Sequence, residues 1–212
     1  MKSLSLSRPL VIMMLGAPGA GKSFFARQFS ETFSAPVVSY DCLRMMVFSE
    51  PTYQKSEEDV VRNLANNEIN ELLKTHKTFI IDGGNSTRPE RLAIERAARE
   101  NDYGTLIIWV QTDEPTSRFR ATKRSAKRKW DEWNVSIPDQ LFDSQLKRLM
   151  PPLPSEPAVV ISGKHTYATQ AKVILKKLVL PREDGSSSVH APERSNNHDQ
   201  TPPAHRRNIA VN

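Results

Sequence analysis

The residues from Gly16 to Ser23 read Gly-Ala-Pro-Gly-Ala-Gly-Lys-Ser, which satisfies the pattern Gly-x-x-x-x-Gly-Lys-Ser in full. Glycines at 16, 19 and 21 let backbone N–H groups turn inward around phosphate oxygens with no Cβ in the way. Ala17, Pro18 and Ala20 complete the loop, and Phe24 follows it. A helix beginning at Lys22 adds its positive dipole end. Lys22 reaches the β- and γ-phosphates of a nucleotide, and the Ser23 hydroxyl is placed to ligate Mg2+. The pattern implies a nucleoside triphosphate with magnesium. No Asn-Lys-x-Asp guanine reader occurs in the chain, so ATP is the expected nucleotide.

Three further groups carry chemistry. Asp41 and Arg44 lie in "SYDCLR". Asp41 either orients or deprotonates an acceptor hydroxyl or caps a helix; Arg44 either pairs with an anion on the acceptor or is a solvated arginine. Asp82 ends the run "TFIID", where a carboxylate can hold a magnesium-bound water. Asn85 and Arg88, on the loop beyond, are candidates to touch the acceptor, or ordinary loop polarity. Arg120 and Arg124 are four apart and share one helix face. Aimed at the phosphates, they would stabilise the charge that develops in phosphoryl transfer.

These residues need a frame. The continuous apolar run 10–15 reads as a central parallel strand, and 22–33 as the helix after the loop. Further strands are expected at 36–39, 78–82, 105–110 and 158–162. Helices are expected at 41–48, 56–74, 89–100, 114–125, 138–150 and 166–180. Ser56-x-x-Asp59 suggests a capping box for the third helix, with Val60, Val61, Leu64, Leu72 and Leu73 on its apolar side. Pro89 suits a first helical turn. Alternation of strands and helices predicts an α/β fold, a three-layer αβα sandwich around a parallel five-stranded sheet.

The chain has 212 residues, 38% of them apolar, and one cysteine, which fits a reducing cytoplasm. Cys42 is expected to be a small buried residue. No run reaches the roughly 18 apolar residues of a membrane span. The net charge of +6 can come from one place, because Arg118, Arg120, Lys123, Arg124, Lys127, Arg128 and Lys129 cluster before "WDEWNVS". That segment is read as a basic, phosphate-facing lid, with Trp130 and Trp133 packing it on the core. A globular domain is expected over 9–180. Residues 181–212 are polar and proline-bearing and are expected to be a disordered tail; its His190, His198 and His205 are too far apart for a helical metal pair.

The loop at 16–23, Asp41-x-x-Arg44, Asp82 with "NSTRPER" behind it, and Arg120-x-x-x-Arg124 occur in a familiar order. It resembles that of the kinase domain of phage-type polynucleotide 5′-hydroxyl kinases and of the related zeta-toxin-like small P-loop kinases. The resemblance implies that Asp41 is the general base and that Arg44 binds an acceptor phosphate. It implies that Asp82 supports the magnesium site and that Arg120 and Arg124 are lid arginines. The loop "DGGN" is one glycine longer than that family's Asp-x-Asn. The expected activity is transfer of the γ-phosphoryl group of ATP to a hydroxyl, on a nucleic-acid 5′ end or a small metabolite. A nucleotide-driven switch protein, and a nucleic-acid binder without chemistry, are the alternatives.

Overall fold

Six consecutive apolar residues, Leu10–Leu15, form β1, and all six are buried, as a strand covered on both faces requires. The structure is a computed structural model and describes residues 8–123 and 136–179. The chain divides into a unit of Met1–Leu180 and a second of Pro181–Asn212; every described residue belongs to the first. After β1 come α1 (Lys22–Phe33), β2 (Val37–Ser39), α2 (Tyr40–Val47), α3 (Lys55–Leu73), β3 (Phe79–Asp82) and α4 (Arg88–Glu100). Then follow β4 (Gly104–Gln111), α5 (Glu114–Thr122), α6 (Asp139–Arg148), β5 (Ala158–Ser162) and α7 (Tyr167–Val179). Among the described residues no helix is long and apolar enough to cross a membrane.

The five strands make one parallel sheet in the order β2-β3-β1-β4-β5. Alternate residues of β1 serve opposite faces. Ile12 and Met14 pack with Phe25 and Phe29 of α1 and Ile174 of α7. Val11 packs on the other side with Val61, Ile69 and Leu73 of α3 and Ala98 of α4. Burial of the Phe25 and Phe29 rings contributes about 1.5–3 kcal/mol each. The three-layer α/β fold expected from the sequence is the fold observed.

Three local expectations need correction. The capping box at Ser56 and Asp59 does not form; α3 begins at Lys55 with Gln54 as its N-cap. The buried line of α3 is Glu57, Val61, Ala65, Ile69 and Leu73, while Val60 is 41% exposed. The cause is Glu57, which turns inward to a buried arginine on α2 and sets the helix phase. A capping box does form one helix later, where Thr87 and Glu90 bond each other's backbone at the start of α4, with Pro89 in its first turn. Cys42 is half-buried rather than buried. The proposed lid, with Arg124, Lys127, Lys129, Trp130 and Trp133, and the tail from 181 onward lie outside the described residues.

Candidate active site

The loop between β1 and α1 is shaped by its glycines. Gly19 has φ 74°, and a Cβ there would lie 2.1 Å from the Ser117 carbonyl oxygen, so the loop can press against α5 only without a side chain. Gly21, at φ 110°, is the N-cap of α1. That helix has no side-chain cap and no acidic residue in its first turn, so its amide dipoles stay directed at whatever anion the loop holds. The Lys22 ammonium arches back over the loop and donates to the carbonyls of Gly16 at 2.9 Å and Ala17 at 3.0 Å.

The opposite side of the loop rests on β4, α5 and the turn after β5. Thr112 Oγ1 donates to the Ala20 carbonyl at 3.0 Å, and Arg120 Nη1 donates to the Gly163 carbonyl at 3.2 Å. Lys164 pairs with Asp113, which caps α5 through the Thr116 N–H. The hydrogen bonds from Lys164 and Thr116 hold the Asp113 carboxyl far below the usual carboxylate range.

A cavity of about 920 Å3 opens at this end of the sheet. The loop, α1, α5 and the turn after β5 contribute Lys22, Ser23, Phe24, Arg120, Lys164 and His165. Elements α2, α3, α4 and α6 contribute Asp41, Arg44, Glu58, Glu90 and Arg148, and Tyr53 enters from the loop before α3. Between the two groups stands Asp82, 7% exposed. It is in register with Met14 of β1 and Ser39 of β2, so β3 carries its carboxylate to the same rim from which both neighbouring loops leave. Among the described residues no three His, Cys, Asp or Glu side chains gather as a metal cluster. The Ser23 hydroxyl and the Asp82 carboxylate are hard oxygen donors, few in number, which fits an ion that keeps water and phosphate oxygens in its shell.

A family model described as an AAA domain matches residues 11–152, from β1 to beyond α6. The chain belongs to this family of P-loop kinase-like domains. No curated protein matches its sequence. Among solved structures it is similar to a gluconokinase from Sinorhizobium meliloti, at 20% identity over 80% of this chain and 91% of that one, with a TM-score of 0.58. It is similar to Kti12 of Chaetomium thermophilum bound to ADP-AlF3, at 16% identity over 79% and 98%, with a TM-score of 0.58. A chain of the Pnkp1/Rnl/Hen1 RNA repair complex is 23% identical over 70% of this chain and 46% of that one, with a TM-score of 0.56. These likenesses show the small P-loop kinase fold that the sequence resemblance implied.

Within this AAA-domain frame the sequence candidates part company. Gly16, Pro18, Gly19, Gly21, Lys22, Ser23, Phe24, Asp41, Asp82 and Arg120 all reach the cavity. Asp41 is exposed in the first turn of α2 and is not its cap; Ser39 is, accepting from the Cys42 N–H at 3.3 Å. Arg44 reaches the cavity too, but neither as a solvated side chain nor with its end groups open. It is 4% exposed, with Nη1 on Glu57 at 2.6 Å and Nη2 on Glu58 at 2.7 Å. Burial pushes the Glu57 carboxyl up, but hydrogen bonds from Arg44, Thr52 and Tyr53 outweigh it and leave the group below its ordinary value.

Asn85 and Arg88 do not line the cavity. Asn85 is 1% exposed, its side-chain amide directed at the Ile81 carbonyl at 3.5 Å. Arg88 opens α4 on the exposed surface. The two glycines of "DGGN" turn the chain so that Gly83, Gly84 and Ser86 face the cavity instead. Sequence reasoning missed Arg148, Glu58 and Glu90 on the cavity wall, and Arg91 behind it. Arg91 is 1% exposed and holds Glu156 with Nε at 2.7 Å and Nη2 at 3.0 Å. It also donates to the carbonyls of Asn85, Ser86, Met150 and Pro151, which ties the Asp82 loop to the chain after α6. Nothing local in the sequence marks it. The start of α4 is signalled, but a partner 65 residues away is not.

Proposed function

We propose that this protein is a cytoplasmic phosphotransferase that moves the γ-phosphoryl group of ATP to a hydroxyl acceptor. The domain responsible spans 9–180, with 181–212 as its tail. The observation that carries the reading is that one cavity is lined both by the phosphate-binding loop and by Asp41. A nucleotide seated on the loop would direct its terminal phosphate toward the wall that bears this carboxylate. Asp41 accepts the proton of the acceptor hydroxyl as that oxygen attacks phosphorus. Lys22 and the amides at the start of α1 hold the β- and γ-phosphates. Ser23 and Asp82 would hold Mg2+, which supplies charge neutralisation at the transferred group. Arg120 would offset the charge that spreads over the equatorial oxygens, and Arg124, which lies outside the described residues, is proposed to join it.

The test uses two variants and γ-labelled ATP with a panel of hydroxyl compounds. Lys22→Ala is expected to lose nucleotide affinity and transfer together. Asp41→Asn is expected to lose transfer by about 10²–10⁴-fold while nucleotide affinity stays within about twofold. Transfer unaffected by Asp41→Asn removes Asp41 as the base, whereas ATP hydrolysis that labels no acceptor and is unchanged in Asp41→Asn removes the kinase assignment and favours a nucleotide-driven switch, which has no acceptor proton to accept.

A further inference from the structure

The kinase reading leaves the acceptor's chemistry open. The wall of the cavity that bears Asp41 narrows it, and that narrowing rests on the kinase reading. Arg44 is the cation to which the sequence resemblance assigned an acceptor phosphate. Its two terminal nitrogens are held by Glu57 and Glu58. The Tyr53 ring lies over the guanidinium, 4.7 Å from Cζ, and Nε is buried without a partner. An incoming phosphate would have to displace two carboxylates from a group only 4% exposed.

The second arginine of this wall is engaged as well. Arg148, at the end of α6, donates to Glu90 and lies 3.9 Å from Glu58. Glu90 is also 3.4 Å from Arg62 of α3. Three carboxylates, Glu57, Glu58 and Glu90, thus face three guanidinium groups, Arg44, Arg62 and Arg148. The set is balanced within itself, and Asp41 leaves the wall with one net negative charge. A further anion would meet charge of its own sign next to cations already committed. A carboxylate accepts hydrogen bonds and cannot donate them, so Asp41, exposed and outside that ion-pair set, suits an O–H donor.

We propose that the acceptor is an uncharged polyhydroxyl compound, of the sugar or polyol class, and that the Arg44–Glu57–Glu58 cluster selects against acceptors carrying a phosphate. In the reaction the acceptor O–H bond breaks and its proton passes to Asp41. A new O–P bond forms to the γ-phosphorus as the bond from that phosphorus to the β–γ bridging oxygen breaks, and ADP leaves with both electrons of that bond.

The experiment measures labelled phosphate transfer from ATP to matched acceptors: ribose against ribose 5-phosphate, inositol against inositol monophosphate, and a nucleoside against a 5′-hydroxyl oligonucleotide. The uncharged member of each pair is expected to have the higher kcat/KM, by about tenfold or more. Glu58→Gln releases one arm of Arg44 and is expected to narrow that ratio chiefly through KM, which a merely structural role would not do. A phosphorylated or polymeric acceptor preferred by the native protein overturns the proposal and leaves the kinase reading intact. A ratio unmoved in a folded Glu58→Gln protein overturns the role of the cluster. No transfer to any acceptor, with ATP bound, removes the kinase reading and this proposal with it.

Discussion

Gly163 offers a perturbation of the nucleotide half that leaves every charged group in place. Its backbone is not left-handed, so alanine is admissible there on conformational grounds; space is what forbids it. A Cβ would lie 1.9 Å from the Ala20 carbonyl oxygen and 2.3 Å from Thr112 Oγ1, against 3.4 Å or more in ordinary contact. The turn after β5 and the phosphate-binding loop must therefore separate by about 1.5 Å. That movement breaks the Thr112 bond to Ala20 and draws the Gly163 carbonyl from Arg120. Overpacking of this kind costs about 1–3 kcal/mol, which for a domain of this length lowers Tm by roughly 2–12 °C. Misplacing reacting groups by about 1 Å can cost about 10²-fold in rate. Gly163→Ala is thus expected to melt earlier, to bind nucleotide more weakly and to transfer phosphate at about one-hundredth of the native rate. Calorimetry, nucleotide titration and labelled-ATP transfer read the three effects. A variant that matches the native protein in melting and nucleotide affinity refutes the packing of this turn on the loop.

Two further outcomes concern the supports of the acceptor wall. Arg91→Ala removes a buried cation and strands Glu156 and four carbonyls, so denaturant unfolding should show a loss of about 3–5 kcal/mol. Glu57 has a folded-state value below its ordinary 4.5; its contribution to stability is present above 4.5 and is lost as pH falls through the lower folded value. Glu57→Gln should accordingly melt earlier than the native protein at neutral pH, with the gap closing in acid. A gap that widens below pH 4.5 contradicts the sign of that shift.

The range of each interaction decides whether the sequence reveals it. The elements β1, α1 and β5 have the limits read from the sequence, because an unbroken apolar run or a glycine loop marks them locally. The phosphate-binding loop is legible for the same reason, since its function resides in eight consecutive residues. The start of α3 is read to within one residue, but its cap and buried face are not legible, because Glu57 answers to Arg44 thirteen residues earlier and to Thr52 and Tyr53 in the preceding loop. Adjacent glutamates at the head of a helix look like partners of the dipole. Only the fold shows that one of them points inward. Arg148 and Glu90 meet across 58 residues, and no periodicity can announce that pair.

The same division bears on how an acceptor is chosen. Since β1 is flanked by β3 on one side and β4 on the other, the chain leaves the sheet in opposite directions at its centre, and the crevice forms there. On the proposed nucleotide side of that crevice the loop between β1 and α1 presents backbone amides and Lys22, with Arg120 and Lys164 beside it. The acceptor side is built from side chains of α2, α3, α4 and α6, whose charges are settled among themselves before any ligand arrives. An Asp-x-x-Arg spacing therefore does not by itself signify an acceptor phosphate. The arginine's meaning depends on whether a helix thirteen residues later presents it with carboxylates, and here Glu57 and Glu58 do.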